Sequence, residues 1–236
     1  MNKEDFEKEL LKLGIALDEE KIRKLDRFYH LLIEWNEKIN LTTITDVNDV
    51  YLKHFYDSLT LIKEVDLTKN ISLCDVGSGA GFPGIVLKII FPNLNIILID
   101  SLQKRVNYLN EVIKFLNLEN IKAEHFRMED YSRLHNEEFD IITARAVANL
   151  GVISEISIRA LKVGGNMVFM KANCDEEISM IKNKLDKLGL EIQNINKFKL
   201  PFENSNRTLI NLKKVKKTNS VFPRKIQDIK KEYISN

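Results

Sequence analysis

The chain has 236 residues, 44% of them apolar, with 36 basic and 34 acidic side chains for a formal net charge of +2. That is enough apolar material for a folded core, and the near-balanced charge alone neither favours nor excludes a nucleic-acid partner. No stretch approaches the roughly 20 apolar residues of a membrane helix. The charged start lacks the apolar centre of a secretory leader, and Cys74 and Cys174 fit neither a disulfide framework nor a metal spacing. A soluble, cytoplasmic, metal-free monomer is the starting expectation.

Residues 1–66 read as an N-terminal helical extension. Between Asp18 and Asn40 the apolar positions Ile22, Leu25, Phe28, Tyr29, Leu32, Trp35 and Ile39 recur at spacings of three and four, one buried helical face. Asn40-Leu41-Thr42 interrupts it, and a second helical stretch carries Val50, His54, Phe55, Leu59 and Leu61. The period changes near residue 70. Apolar runs at Ile71–Val76, Ile96–Ile99, Ile121–Phe126, Phe139–Ala144 and Asn166–Lys171 are strand-like. Helical patterns lie between the earlier ones, such as Leu102, Val106, Leu109, Ile113 and Leu116, and then Ile153, Ile156, Ala160 and Leu161. This alternation predicts an α/β fold, a doubly wound and mostly parallel sheet. Leu190–Leu200 and Thr208–Lys214 are joined only by a loop through Pro201 and Asn206, so they are predicted to form a C-terminal antiparallel hairpin. The main domain spans 67–214. Residues 215–236 form a basic tail suited to phosphates.

The chemistry centres on Asp75-Val76-Gly77-Ser78-Gly79-Ala80-Gly81-Phe82-Pro83-Gly84, which follows the first strand and opens a helix. Glycines permit a sharp turn and close approach of a ligand to the main chain, and helix N-terminal N–H groups favour an anion such as a carboxylate. Asp100, ending the second strand, can accept both hydroxyls of a ribose. Gly77, Gly79 and Gly81 have the spacing of a site for S-adenosylmethionine (SAM). Gly79, Gly81 and Gly84, with Asp100 21 residues after Gly79, also satisfy the dinucleotide pattern, which keeps an NAD-binding oxidoreductase as the alternative. Two features favour SAM. One is the terminal hairpin, which makes the sheet similar to that of Rossmann-like SAM-dependent methyltransferases. The other is Arg127-Met128-Glu129 after the third strand, placed to read an adenine edge.

Several segments together resemble the ribosomal RNA small-subunit methyltransferase G family. They are Trp35-Asn36-x-x-Ile39-Asn40-Leu41-Thr42, His54-x-x-Asp57-Ser58, the glycine loop through Phe82-Pro83-Gly84, Asp100-Ser101-x-x-Lys104-Arg105 and Ala144-Arg145-Ala146. The resemblance implies transfer of a methyl group from SAM to guanine N7 in the decoding-region loop of 16S ribosomal RNA, free or in the small-subunit particle. It implies cofactor contacts at Gly77, Phe82, Met128, Glu129 and Arg145. The chain departs from the family pattern at Lys171-Ala172, where Lys-Gly is usual, and after Phe222-Pro223-Arg224-Lys225. Another RNA or a small molecule remains an alternative acceptor.

N7 chemistry suits the residues after the fourth strand, Thr143-Ala144-Arg145-Ala146, which hold no carboxylate. Guanine N7 carries a free lone pair, so no proton must leave and no general base is required. Arg145 is expected to position the methionine carboxylate or an RNA phosphate. Lys104, Arg105, Arg127 and Lys171, near strand ends, are expected to form a phosphate-binding rim, joined by Arg224 and Lys225 of the tail. His54 and Asp57 share one helical face and are expected to brace the N-terminal helices against the cofactor loop.

Overall fold

A computed structural model describes residues 1–234. Helices α1 (Lys3–Lys12) and α2 (Glu19–Ile39) both start at side-chain caps: Asn2 accepts from Asp5 N and Asp18 from Lys21 N. α2 buries Leu25, Phe28, Leu31 and Leu32 and stops at Asn40, whose φ of 49° is left-handed. Asn36 Oδ1 then accepts both Leu41 N (2.7 Å) and Thr42 N (2.8 Å), which fixes the direction in which the chain leaves the helix. A nearly continuous helical segment follows: α3 (Val47–Val50), a π-helical turn Tyr51–Tyr56, α4 (Asp57–Leu59) and a 3-10 turn Thr60–Lys63. Such widened turns re-aim side chains and recur at functional sites. Here the turn carries Tyr51, Leu52, Phe55 and Tyr56 into the core while burying the polar His54 and Asp57.

The sheet has seven strands: β1 (Ser72–Val76), β2 (Asn95–Asp100), β3 (Ile121–His125), β4 (Phe139–Arg145), β5 (Leu161–Lys171), β6 (Leu190–Lys199) and β7 (Asn206–Lys214). Their order is β3-β2-β1-β4-β5-β7-β6. The first five run parallel; β7 is antiparallel to both β5 and β6, so the expected hairpin is present and its second strand lies between β5 and β6. β5 starts at Leu161, earlier than the apolar pattern suggests, because Gly164 and Gly165 interrupt that pattern without ending the strand. The helices α5 (Gly84–Ile90), α6 (Gln103–Phe115), α7 (Met128–Leu134), α8 (Leu150–Ser157), α9 (Asp175–Lys182), α10 (Leu185–Leu188) and α11 (Ile226–Tyr233) complete the fold. Alternate strand residues feed two cores. Leu73, Ile96 and Leu98 join the N-terminal helices, α5 and α6; Cys74, Ile97 and Ile99 join α7, α8, α9 and α11. β1 pairs with β2 on one side and β4 on the other, so the strand order reverses there. In such sheets ligands bind beyond the carboxyl ends at this point.

The C-terminal segment is not a loose basic arm. It returns across α8, burying Ile229 and Tyr233, and Arg224 makes a two-pronged contact with the fully buried Glu155 (Nε–Oε1 2.7 Å, Nη2–Oε2 2.6 Å) and reaches Glu232 at 2.6 Å. The Tyr233 ring lies against Gly151 so closely that any Cβ there would overlap it. Gly151→Ala is therefore expected to destabilise the fold by about 1–3 kcal/mol through overpacking. Thermal unfolding of Gly151→Ala in wild type and in a Tyr233→Ala background separates overlap from loss of glycine, because the cost should largely vanish once the ring is gone.

Candidate active site

A cavity of about 860 Å³ opens beyond the carboxyl ends of β1, β2, β4 and β5, with one wall supplied by the loop after α2 and the π turn. Gly77 N and Ser78 N both donate to Ile99 O (2.7 and 3.1 Å), which ties the glycine loop to β2. Gly77, Gly79 and Gly81 have φ of 68°, 54° and 93°, the region side-chain-bearing residues avoid. Their surroundings differ. A Cβ on Gly77 would meet Val147 at 2.7 Å and one on Gly81 would meet Ile85 at 2.7 Å, whereas one on Gly79 would find nothing nearer than 3.8 Å and would project into the cavity.

Asp100 is buried with both oxygens engaged: Oδ2 accepts from Gly79 N and Oδ1 from Leu102 N, each at 2.9 Å. It thus shapes the loop, and a carboxylate's remaining lone pairs leave capacity for hydroxyl donors. Arg105 stands 3.6 Å from Oδ2. Beneath the loop Asp75 accepts from Gly84 N at 2.9 Å while its Oδ1 is buried without a partner, and burial pushes this carboxyl up to about 7.

Arg145 lines the cavity and is clasped by the N-terminal segment. Its Nη1 donates to Lys53 O (2.9 Å) and lies 3.4 Å from Asp57 Oδ2, its Nη2 lies 3.1 Å from His54 Nδ1, and the guanidinium sits over the Phe82 ring at 5.1 Å. His54 stacks on Phe82 with centroids 4.3 Å apart. Burial, and next the Arg145 charge, push the His54 imidazolium down to about 3, so the ring is neutral at neutral pH. Asp57 accepts from Arg207 Nε at 3.0 and 3.1 Å. His54 and Asp57 therefore do join the helical extension to the glycine loop and β4.

The remaining expected residues divide. Phe82, Arg105 and Lys171 line the cavity. Lys171 is occupied, donating to Ala148 O at 2.8 Å and Glu177 at 2.8 Å. Lys104 and Arg127 are exposed and are not among the residues that line the cavity. Met128 is buried among Ile97, Ile99 and Tyr131, and Glu129 is buried in the same helical turn; neither is part of the cavity lining. The Arg224 guanidinium is held by Glu155 and Glu232 on the α8 side, away from the cavity lining. Lys225, next to it, is exposed at the start of α11. Thr42, Lys53, Val147 and Arg207 also line the cavity, and none of them stands out as a site residue in the sequence. There, Trp35-Asn36-x-x-Ile39-Asn40-Leu41-Thr42 marks a helix break and contributes to the family resemblance, without giving Thr42 a role of its own.

Among the described residues the cavity lining holds two acids, Asp57 and Asp100, and five basic side chains, Lys53, Arg105, Arg145, Lys171 and Arg207. Such a site suits a small ligand under a glycine loop beside a larger anionic one. The fold is that of the SAM-dependent methyltransferases. A SAM dependent methyltransferase from Aquifex aeolicus aligns with a TM-score of 0.53 at 19% identity, covering 72% of this chain and 94% of that one. The YcgJ protein from Bacillus subtilis aligns at 0.55 and 16% identity, covering 70% of this chain and all of that one.

Sequence comparison narrows the class. The profile of the family described as rRNA small subunit methyltransferase G matches residues 21–210. Proteins named ribosomal RNA small subunit methyltransferase G from Bacillus licheniformis and Bacillus subtilis are 45% and 43% identical over 228 residues, covering 95% of each chain. The chain belongs to this family.

Proposed function

We propose that the protein transfers the methyl group of SAM to N7 of a guanine in the decoding-region loop of 16S ribosomal RNA, free or within the small-subunit particle, acting as a cytoplasmic monomer. One observation carries this reading: among the described residues the cavity combines a cationic lining with no group placed to act as a base. Asp57 is held by two guanidiniums, Asp100 by two backbone N–H groups, and His54 is neutral with its Nδ1 facing Arg145. An exocyclic amine or a ribose hydroxyl would have to shed a proton; N7 has none to lose.

The residues fit the cofactor. Gly79 leaves bare backbone beside open volume, and Asp100, at the end of β2, is suited to a ribose. Gly77, Phe82 and Asp100 would hold it, Gly81 and Gly84 shaping the loop from behind. Met128 and Glu129 lie beyond the present cavity wall, so an adenine contact there would run through the α7 backbone or require the wall to part. When bound, SAM supplies an electrophilic methyl on a sulfonium. The protein's own part is to align the base, exclude water and tolerate the positive charge that the base acquires; positioning of this kind is worth roughly 7–11 kcal/mol. Arg145, clasped by Asp57, holds the wall of the cavity.

The reaction is tested by nucleoside mass spectrometry of small-subunit RNA from cells with and without the protein. A 7-methylguanosine that disappears with the protein, at a position cleaved by borohydride and aniline, is the expected result. Methyl on an exocyclic amine or ribose would overturn it. In RNA helices the edge bearing N7 lies in a groove too narrow for side chains, so the target should be an unstacked or flipped guanine. Exchanging the exposed Lys104 and Arg127 together for alanine should lower the slope of log affinity against log salt by about 1 for each phosphate left without its cation, with SAM affinity unchanged. Equal slopes for variant and wild type would remove both residues from the phosphate rim.

A further inference from the structure

We infer that Thr42 selects the target base by donating its hydroxyl proton to the 6-oxo group of guanine, in an orientation set by hydrogen bonds running from Arg145 through His54. This rests on the guanine N7 reading above and names the group that distinguishes guanine from adenine at that site.

The polarity of the chain follows from one fixed end. A guanidinium only donates hydrogen bonds, and Arg145 Nη2 lies 3.1 Å from His54 Nδ1. Nδ1 must therefore present its lone pair. Lys53 O, 3.2 Å from the same nitrogen, is already served by Arg145 Nη1 at 2.9 Å, so it does not need a proton from the ring. The neutral ring then carries its hydrogen on Nε2, and Nε2–H donates to Thr42 Oγ1 at 2.9 Å. Ile44 N donates to the same oxygen at 3.1 Å. A hydroxyl has two lone pairs and one proton. Both lone pairs of Thr42 are taken, and among the described residues no acceptor takes the proton. Thr42 lines the cavity, so the hydroxyl can offer it only a donor. The low His54 titration agrees with a ring that stays neutral throughout the working pH range.

The placement suits the reaction. His54 stacks on Phe82 of the glycine loop, so Thr42 stands one imidazole away from the loop that would hold the cofactor. Asn36 fixes its backbone from the end of α2. Guanine presents N7 and O6 as adjacent acceptors on one edge, whereas adenine presents N7 beside an amino donor. A base whose N7 faces the methyl group must bring its 6-substituent to the neighbouring wall. A hydroxyl that can only donate accepts O6 there as its partner and opposes the amino group of adenine. The bond adds nothing to the nucleophilicity of N7, so its contribution is to selection and alignment.

The experiment compares RNA carrying guanine with RNA carrying 2-aminopurine at the methylated position. The analogue keeps N7 and lacks the 6-oxo group. Each substrate is given to wild type, Thr42→Val and Thr42→Ser under single-turnover conditions, with SAM affinity measured separately. Wild type is expected to prefer guanine, and Thr42→Val to lose about ten- to a hundredfold on guanine, the cost of stranding one buried acceptor, with little further loss on 2-aminopurine. Thr42→Ser should restore the gap between substrates, and SAM affinity should hold in all three. Comparing ratios cancels the intrinsic reactivities of the two bases. An equal loss on both substrates in Thr42→Val would overturn the inference, because the residue would then act only on local structure. Wild type that methylates both substrates equally well overturns it without recourse to any variant. Absence of N7 methylation on guanine RNA by wild type would instead overturn the activity itself, and this inference with it.

Discussion

Asp57→Ala is expected to destabilise the protein by about 3 kcal/mol and to remove most of its activity. The carboxylate is nearly buried, with 6% of its side chain exposed, and it faces Arg207 and Arg145, which are 20% and 16% exposed. Removing one partner of a buried ion pair typically costs about 3–5 kcal/mol, because the other charge is left uncompensated. The lower end applies here, since both guanidiniums keep some access to water. At about 2–4 °C per kcal/mol for a chain of this size, the melting temperature should fall by roughly 6–12 °C. Activity should fall further than stability. Arg145 would keep Lys53 O and His54 but lose its anion, and the wall carrying Thr42 would lose its ion pairs to β4 and β7. Asp57→Ala/Arg207→Met should be no less stable than Asp57→Ala alone, because the double change removes one of the two stranded charges. A single variant within about 0.5 kcal/mol of wild type, the range of ordinary surface changes, would show that the cluster is only a solvated surface contact.

Gly79→Val should abolish measurable SAM binding while leaving the fold largely intact. Gly79 has φ of 54° and faces open cavity, so a branched side chain there suffers backbone strain and occupies the volume that the cofactor would use. Gly84→Ala provides the contrast: its Cβ would meet Leu98 and Asp75, and the damage should appear first in stability. Asp100→Ala should be intermediate, weakening SAM by roughly 1–3 kcal/mol, the scale of hydrogen bonds to a charged group, and also releasing Gly79 N and Leu102 N. Calorimetric titration paired with circular dichroism reads both properties. Undiminished SAM affinity in Gly79→Val would move the cofactor away from this loop.

The central strands are legible because they are short apolar runs closed by glycine or a polar residue, and the glycine loop because Gly77, Gly79, Gly81 and Asp100 stand out by their local spacing. His54 and Asp57 can be read as a bracing pair from their shared helical face. Their partners cannot: Arg145 and Arg207 lie 88 and 150 residues from Asp57, and no local pattern reports a pairing at that distance. The pairing of Arg224 with Glu155 is equally invisible in the sequence. Glu155 is a lone acid inside the apolar helix Leu150–Ser157; such an acid implies a buried cation nearby but does not say which one. Thr42 is visible as the end of a helix and of a family segment but not as a donor, because its proposed role depends on the direction of two hydrogen bonds that converge on it.

The place of β7 in the sheet bears on how the protein is made. β7 is the last strand to leave the ribosome, yet it fills the position between β5 and β6 and brings Arg207 to Asp57. While the chain emerges, β6 has no neighbour of its own, β5 has an open edge, and the Asp57 carboxylate waits in water. Loop closure over such a separation is entropically slow relative to local pairing. Synthesis therefore passes through a stage at which the glycine loop and the Arg145 clasp can form while Asp57 still lacks Arg207. A nascent chain stopped before residue 206 would hold every lining residue of the cavity but Arg207, so the last fastening of its wall arrives late, with the insertion of one strand.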